Sequence, residues 1–153
     1  MTVVACPFCE IVAGRLQASV IAQTPNALAF LDLRQAVPGH VLVVPKAHAQ
    51  DIYAIEPAHA AEVMALAVNV AHALRKAFDP PGLNLWQSNG AAGGQEVPHF
   101  HLHVQPRRVA DGLLRVYPSG APEPCSSAVL EDMAQRIRRN YPHDGVTAPR
   151  STS

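Results

Sequence analysis

The sequence predicts an α+β fold: an antiparallel sheet of about five strands, one long helix packed across a face, and a shorter helix towards each end of the chain. Three observations point there. Five apolar runs are short and bounded by proline, glycine or polar turn residues, as strands of antiparallel sheets are. The stretch from Pro57 to Phe78 carries apolar residues at three- and four-residue spacing. Two shorter helical segments lie outside the strand region, one before it and one after it.

In order along the chain, Pro7 to Val12 reads as a short helix closed by Gly14, with Pro7 in the first turn, where its missing N–H costs no hydrogen bond. Ser19–Gln23 and Asn26–Leu33 form a predicted strand pair joined at Thr24-Pro25. A third strand, Gly39–Val44, begins after the Pro38-Gly39 turn and ends at Pro45. The long helix places Val63, Met64, Ala67, Val70, Ala71, Leu74 and Phe78 on its apolar stripe, and Asp79-Pro80-Pro81-Gly82 stops it. Gly82–Gln87 then reads as a strand, Ser88–Gly94 as a glycine-rich loop and Pro98–Gln105 as the last strand. A final helix spans Ser127–Arg139, with Val129, Leu130, Met133 and Ile137 expected to face inward. Residues 1–140 are read as one domain and residues 141–153 as a flexible tail.

Composition narrows the function classes. Twelve Lys and Arg balance twelve Asp and Glu, so no electrostatic footprint recommends a nucleic acid or an anionic membrane as partner. His59, Glu62, Asn69 and His72 interrupt the longest apolar candidate for a membrane span. Met1–Arg15 shows no basic segment leading into an apolar one, so the expectation is a cytoplasmic protein. Of three cysteines, Cys6 and Cys9 stand in a C-x-x-C arrangement, and the odd count suits a metal clip or reduced thiols better than a disulfide framework. Cys125 has no visible partner.

The chemistry concentrates at His99, His101 and His103, which alternate with Phe100, Leu102 and Val104. On a strand, alternate side chains share a face, which would line up three imidazoles roughly 6.6 to 6.8 Å apart. An isolated strand histidine is ordinarily a packed structural residue. Three in register repel one another when charged and serve no core. Spacing alone leaves two readings open: three ligands to one catalytic zinc, or a nucleophilic imidazole with histidine neighbours that orient it and move protons. The preceding Ser88–Gln95 segment can present backbone N–H groups to a phosphate, which favours a phosphorus centre.

His99-Phe100-His101-Leu102-His103-Val104 resembles the signature of the histidine triad family, and Gly94-Gln95-Glu96-Val97-Pro98 resembles its approach. Cys6 to Gly14, Ala29 to Asp32 and Pro38 to Lys46 are similar to family segments in the same order, so the likeness covers roughly Cys6 to Arg107. The resemblance implies a nucleotide hydrolase or nucleotidyl transferase acting at an α-phosphate, with AMP as the expected product of a purine nucleotide substrate. It makes His101 the nucleophile and His103 and His40 the neighbours that orient it and contact the phosphate. Asp32 falls where relatives hold the ribose hydroxyls; Phe8, Ile11, Phe30 and Leu33 fall where they build the nucleobase slot. Ser88, Gly94, Gln95 and the backbone of Glu96 are the implied phosphate-side residues. Some relatives assemble a structural zinc from a cysteine pair and two histidines, which implies Cys6, Cys9, His48 and His99 here; no organic cofactor is implied. The family also implies a homodimer with a continuous sheet.

Three features qualify the likeness. Gln105 replaces an apolar residue after the third histidine, and Glu96 stands where relatives often carry a hydroxyl residue thought to assist the leaving group. The related uridylyltransferases have glutamine at the third histidine, so His103 argues for water as the final acceptor. Two alternatives remain beside the phosphohistidine reading: a zinc-dependent hydrolase with His99, His101 and His103 as ligands, and a non-catalytic purine-nucleotide-binding module.

Overall fold

Ala27–Leu31 and Val41–Pro45 are apolar at nearly every position, and both are buried on both faces in the computed structural model, which describes residues 5–142. Strands of that composition need cover on each side. Alternation supplies it. Ala27, Ala29, Val41 and Val43 point to one core with the long helix, while Leu28, Phe30, Leu42 and Val44 point to a second core with Phe8.

The described residues divide after Leu113 into two compact units, at a boundary for which the sequence offered no signal. The first holds a five-stranded antiparallel sheet: β1 (Val20–Gln23), β2 (Ala27–Leu31), β3 (Val41–Pro45), β4 (Gly82–Trp86) and β5 (Leu102–Arg107), in spatial order β1-β2-β3-β5-β4. Helix α1 (Pro7–Val12) contributes Phe8 to one face, and α2 (Pro57–Phe78) covers the other. The second unit holds α3 (Ser127–Arg139), whose first turn is capped by the Ser126 hydroxyl accepting from the Val129 N–H at 3.4 Å. The α+β arrangement predicted from the sequence is the one observed. Among the described residues no helix is long and apolar enough to cross a membrane. Residues 143–153 of the expected tail lie outside the described residues.

Helix α2 buries Val63, Leu66, Ala67, Val70 and Leu74, and stops where Asp79 takes a left-handed conformation at φ 41°. Met64 and Phe78, expected on the buried stripe, are exposed, and Leu66 takes the place. Met64 stands about 100° round the helix from Val63, off the sheet-facing side. In α3 no residue is buried: Val129, Leu130, Met133 and Ile137, expected inward, are exposed among the described residues.

The last strand starts later than expected. Pro98 has no N–H to give, the His99 N–H closes a turn on the Val97 carbonyl at 2.8 Å, and the Phe100 N–H goes to Ala49 at 2.6 Å. Pairing therefore begins at Leu102, opposite Val43, and runs on to Arg107 opposite Gly82. The three histidines do not share one ladder.

Candidate active site

That late start parts the histidine row. His99 is wholly buried, and the Phe8 ring meets both His99 and His101 edge-on, with centroids 5.8 and 5.2 Å away. His101 and His103 stay together, ring centroids 4.9 Å apart. They line a pocket of about 500 Å³ between α1, the ends of β2 and β4, and the loop before β5.

Hydrogen bonds assign the protons. His101 Nδ1 lies 2.6 Å from the His99 carbonyl, which can only accept, so Nδ1 carries a hydrogen, and in the neutral tautomer the lone pair is on Nε2. His40 Nδ1 faces the Arg34 carbonyl at 3.3 Å and an Asp32 carboxylate oxygen at 3.7 Å, again acceptors only. His40 Nε2 in turn meets His103 Nδ1 across 2.9 Å, the two rings sharing one hydrogen bond. Asp32, His40 and His103 thus form one connected chain. Burial, reinforced by His101 and His40, pushes the His103 pKa down to about 3, so this ring is neutral in the free protein. Burial lowers the His99 pKa as well.

The loop carrying Asp32 and His40 is stitched by one side chain. The Gln35 amide donates to the Asp32 and His40 carbonyls, both at 2.8 Å, and its oxygen accepts from the Gly39 and His40 N–H groups at 2.9 and 3.0 Å. Beneath it, Gly39 adopts φ 99° against Leu74, Phe78 and Pro106.

A second cluster gathers around His99. Cys6 Sγ is 3.4 Å and Cys9 Sγ 3.6 Å from His99 Nδ1, while His48 Nδ1 is 3.4 Å from Cys9 Sγ and 3.2 Å from His99 Nδ1. The ligand atoms of all four residues lie within 4.8 Å of one another. Zinc bonds of about 2.0–2.1 Å to nitrogen and 2.3 Å to sulfur at tetrahedral angles separate neighbouring ligands by roughly 3.3 to 3.8 Å, so the donor set and spacing fit that ion. His99 Nε2–H donates to the Pro45 carbonyl at 2.9 Å, which turns the unprotonated Nδ1 towards the cysteines.

The HIT domain family profile matches residues 13–110. The chain belongs to the histidine triad family. This histidine triad protein is 36% identical over 102 residues to the adenosine 5'-monophosphoramidase hnt1 of Schizosaccharomyces pombe, covering 67% of this chain and 74% of that one. A crystal structure of a HIT family member from Bacillus subtilis superposes with a TM-score of 0.83 at 32% identity, covering 91% of this chain and 99% of the other. A Zn-bound histidine triad family protein from Mycobacterium smegmatis superposes with a TM-score of 0.67 at 33% identity, covering 90% and 98%.

Most of the histidine triad residues read from the sequence meet in the pocket: His40, His101, His103, Asp32, Phe8, Ile11, Phe30, Ser88, Gly94 and Glu96 all line it. Leu33 lines it only at the rim, where it is 98% exposed. Gln95 does not line it. Its amide donates to the Gln50 and Val97 carbonyls and its oxygen accepts from the Gly90 N–H at 2.8 Å, so the side chain braces the glycine loop instead. Within the glycine-rich segment the N–H groups of Gly93, Gly94 and Gln95 close on its own carbonyls, and that of Gly90 closes on the Gln95 amide oxygen. His99, His101 and His103 do not converge on one point; the groups of metal-ligating side chains among the described residues keep them apart.

The sequence reading passed over Trp86, Arg34 and Gln35. Trp86 is the cross-strand partner of His103, a relation visible only once the β4–β5 register is known. Arg34 lines the pocket two residues after Asp32. Nothing in the pattern of the sequence marks Gln35.

Proposed function

We propose that this protein is a nucleotide hydrolase and nucleotidyl transferase that releases a nucleoside monophosphate, AMP in the first instance, from a dinucleoside polyphosphate or a nucleoside phosphoramidate. The observation that carries the reading is the 2.6 Å contact between His101 Nδ1 and the His99 carbonyl. It fixes the tautomer that presents Nε2 as a nucleophile, inside a pocket lined by apolar side chains and imidazoles.

In the first step His101 Nε2 forms a bond to the α-phosphorus, while the bond from phosphorus to the leaving oxygen or nitrogen breaks with its electron pair. In the second, water attacks phosphorus, the P–N bond to His101 breaks, and the nucleoside monophosphate leaves. His103 and His40 hold the His101 neighbourhood and meet the phosphoryl oxygens; Asp32 takes the ribose hydroxyls; Phe8, Ile11, Phe30 and the rim residue Leu33 enclose the base. Ser88 and the Glu96 N–H lie on the phosphate side. Cys6, Cys9, His48 and His99 would hold a zinc ion whose part is structural, anchoring the chain two residues before the nucleophile. The free edge of β4, with Leu85 exposed, and the exposed Met64 and Val68 of α2 support pairing of two copies.

The test is AMP release from a diadenosine polyphosphate and an adenosine phosphoramidate by wild type and His101→Ala, each with and without chelator. Release that requires His101 and persists through chelation at a temperature where the fold survives supports the covalent mechanism. Release by His101→Ala overturns it. AMP binding without release from either substrate turns the reading towards a nucleotide-binding module.

A further inference from the structure

At the pocket mouth an Arg34 guanidinium nitrogen donates to a Glu96 carboxylate oxygen at 3.1 Å. The two residues are 62 apart in sequence, and both line the pocket that contains His101. Among the described residues Arg34 is the single lysine or arginine on that lining, against two carboxylates, Asp32 and Glu96. Asp32 is already engaged: one oxygen accepts the Arg34 N–H at 2.7 Å and the other faces His40. The Arg34 backbone is thereby pinned between Asp32 and His40, while its guanidinium projects outward, 83% exposed at the side chain, with Glu96 at 76%.

We propose that the Arg34–Glu96 pair filters leaving groups by charge, an inference that rests on the function proposed above. A leaving group with further phosphates must enter past the Glu96 carboxylate and compete with it for the lone cation of the lining. An uncharged or ammonium-bearing amine meets no such repulsion, and its N–H groups find an acceptor in Glu96. When a P–N bond is cleaved, His101 Nε2 bonds to phosphorus, the electron pair of the broken bond stays on the amine nitrogen, and that nitrogen takes two protons from solvent water at the open mouth, the first giving the neutral amine and the second the ammonium; the water that then breaks the bond from phosphorus to His101 returns both protons to solvent. The cation formed there lies beside a carboxylate. When a phosphoanhydride is cleaved, the departing oxygen gains negative charge beside the same carboxylate, with Arg34 already occupied. The pair therefore disfavours polyphosphate leaving groups relative to amines. The apolar slot and Asp32 act on the nucleoside half, which both substrates share, so they do not enter this choice.

The experiment compares kcat/KM for diadenosine tetraphosphate and adenosine phosphoramidate in wild type, Glu96→Gln and Arg34→Gln, at low salt and at 0.5 M NaCl. Both side chains are exposed, so neither substitution threatens the fold. Glu96→Gln removes the repulsion and frees Arg34, and is expected to raise the tetraphosphate-to-phosphoramidate ratio about fivefold, the scale of a charge interaction in a solvated cleft. Arg34→Gln leaves Glu96 unopposed and lowers the ratio by about as much. Both shifts shrink at high salt. A merely structural pair would move the two variants in the same direction. A ratio that stays within about twofold of wild type in both variants, or shifts the same way in both, overturns the filter while leaving the hydrolase reading intact. Turnover of neither substrate by wild type overturns that reading and the filter with it.

Discussion

The Trp86 indole lies parallel to the His103 imidazole, ring centroids 4.1 Å apart and planes 3° from parallel. The same indole stacks on His40 at 5.4 Å, so one side chain supports both rings of the hydrogen-bonded histidine pair. Cross-strand pairing of Trp86 with His103 sets this arrangement, since directly opposed residues on adjacent antiparallel strands share a face.

Removing that support should loosen His103 without removing any group that meets the substrate's phosphate. An aromatic pair contributes about 0.5–1.5 kcal/mol beyond the area it buries. Expressed in the transition state, that is a roughly two- to twelvefold fall in kcat for Trp86→Leu. Trp86→Phe keeps a stacking face and should stay within about twofold of wild type. Steady-state turnover of the better substrate, with near-UV dichroism to confirm folding, checks both.

Acid should destabilise the fold through His103. Its pKa is held down at about 3 in the folded chain, against about 6.5 when unfolded, so between those values the unfolded state binds a proton that the folded state does not. The contribution is therefore fully present above pH 6.5 and is lost as pH falls towards 3. Urea unfolding at pH 7.5 and pH 5 should show wild type losing more stability than His103→Gln over that interval. Equal losses would show that His103 titrates normally.

How far the sequence reveals this protein depends on the range of the interactions involved. Helix α2 and the doubly buried β2 and β3 are legible because a single chain segment carries its own periodicity. The pairing of Asp32, His40, His101 and His103 was reached through motif likeness, and the pocket brings them together. What stayed hidden depends on contacts between distant segments. The start of β5 at Leu102 turns on Pro98 and on the Phe100 N–H reaching Ala49, 51 residues back. The glycine loop looked able to offer its N–H groups, yet the Gln95 side chain takes that of Gly90, and the loop's own carbonyls take those of Gly93, Gly94 and Gln95. In α3 the spacing shows an amphipathic helix, but spacing carries no information on what, if anything, covers Val129 or Ile137.

Gly39 should tolerate no side chain. Its φ of 99° is strained for any L residue, and a Cβ there would stand 2.9 Å from Leu74 Cδ2, with Phe78 and Pro106 each at 3.1 Å. Strain and overpacking together should cost Gly39→Ala about 2 to 3 kcal/mol of stability, read as a lower urea midpoint at unchanged slope. Because His40 follows directly, activity measured well below the unfolding transition should fall as well. Gly90 is the contrasting position: it also has positive φ, but nothing lies within 4 Å of an added Cβ, so Gly90→Ala should cost less.

Zinc loss should act on stability first and on chemistry only through it. Cys6 and Cys9 flank the start of α1, His48 follows β3, and His99 precedes β5, so one ion would tie together three segments far apart in sequence. His101 rests its Nδ1–H on the His99 carbonyl, which makes the tautomer of the proposed nucleophile depend on how well His99 is anchored. Cys9→Ser should therefore lower zinc content by elemental analysis and the thermal midpoint together, by roughly 10 °C if about 3 kcal/mol is lost. Chelation of wild type should reproduce that shift and leave Cys9→Ser nearly unmoved. At a temperature where both remain folded, turnover should fall only modestly, because His101, His103 and His40 stay in the pocket. If chelation abolished turnover with the midpoint unchanged, the ion would belong to the chemistry and not to the scaffold.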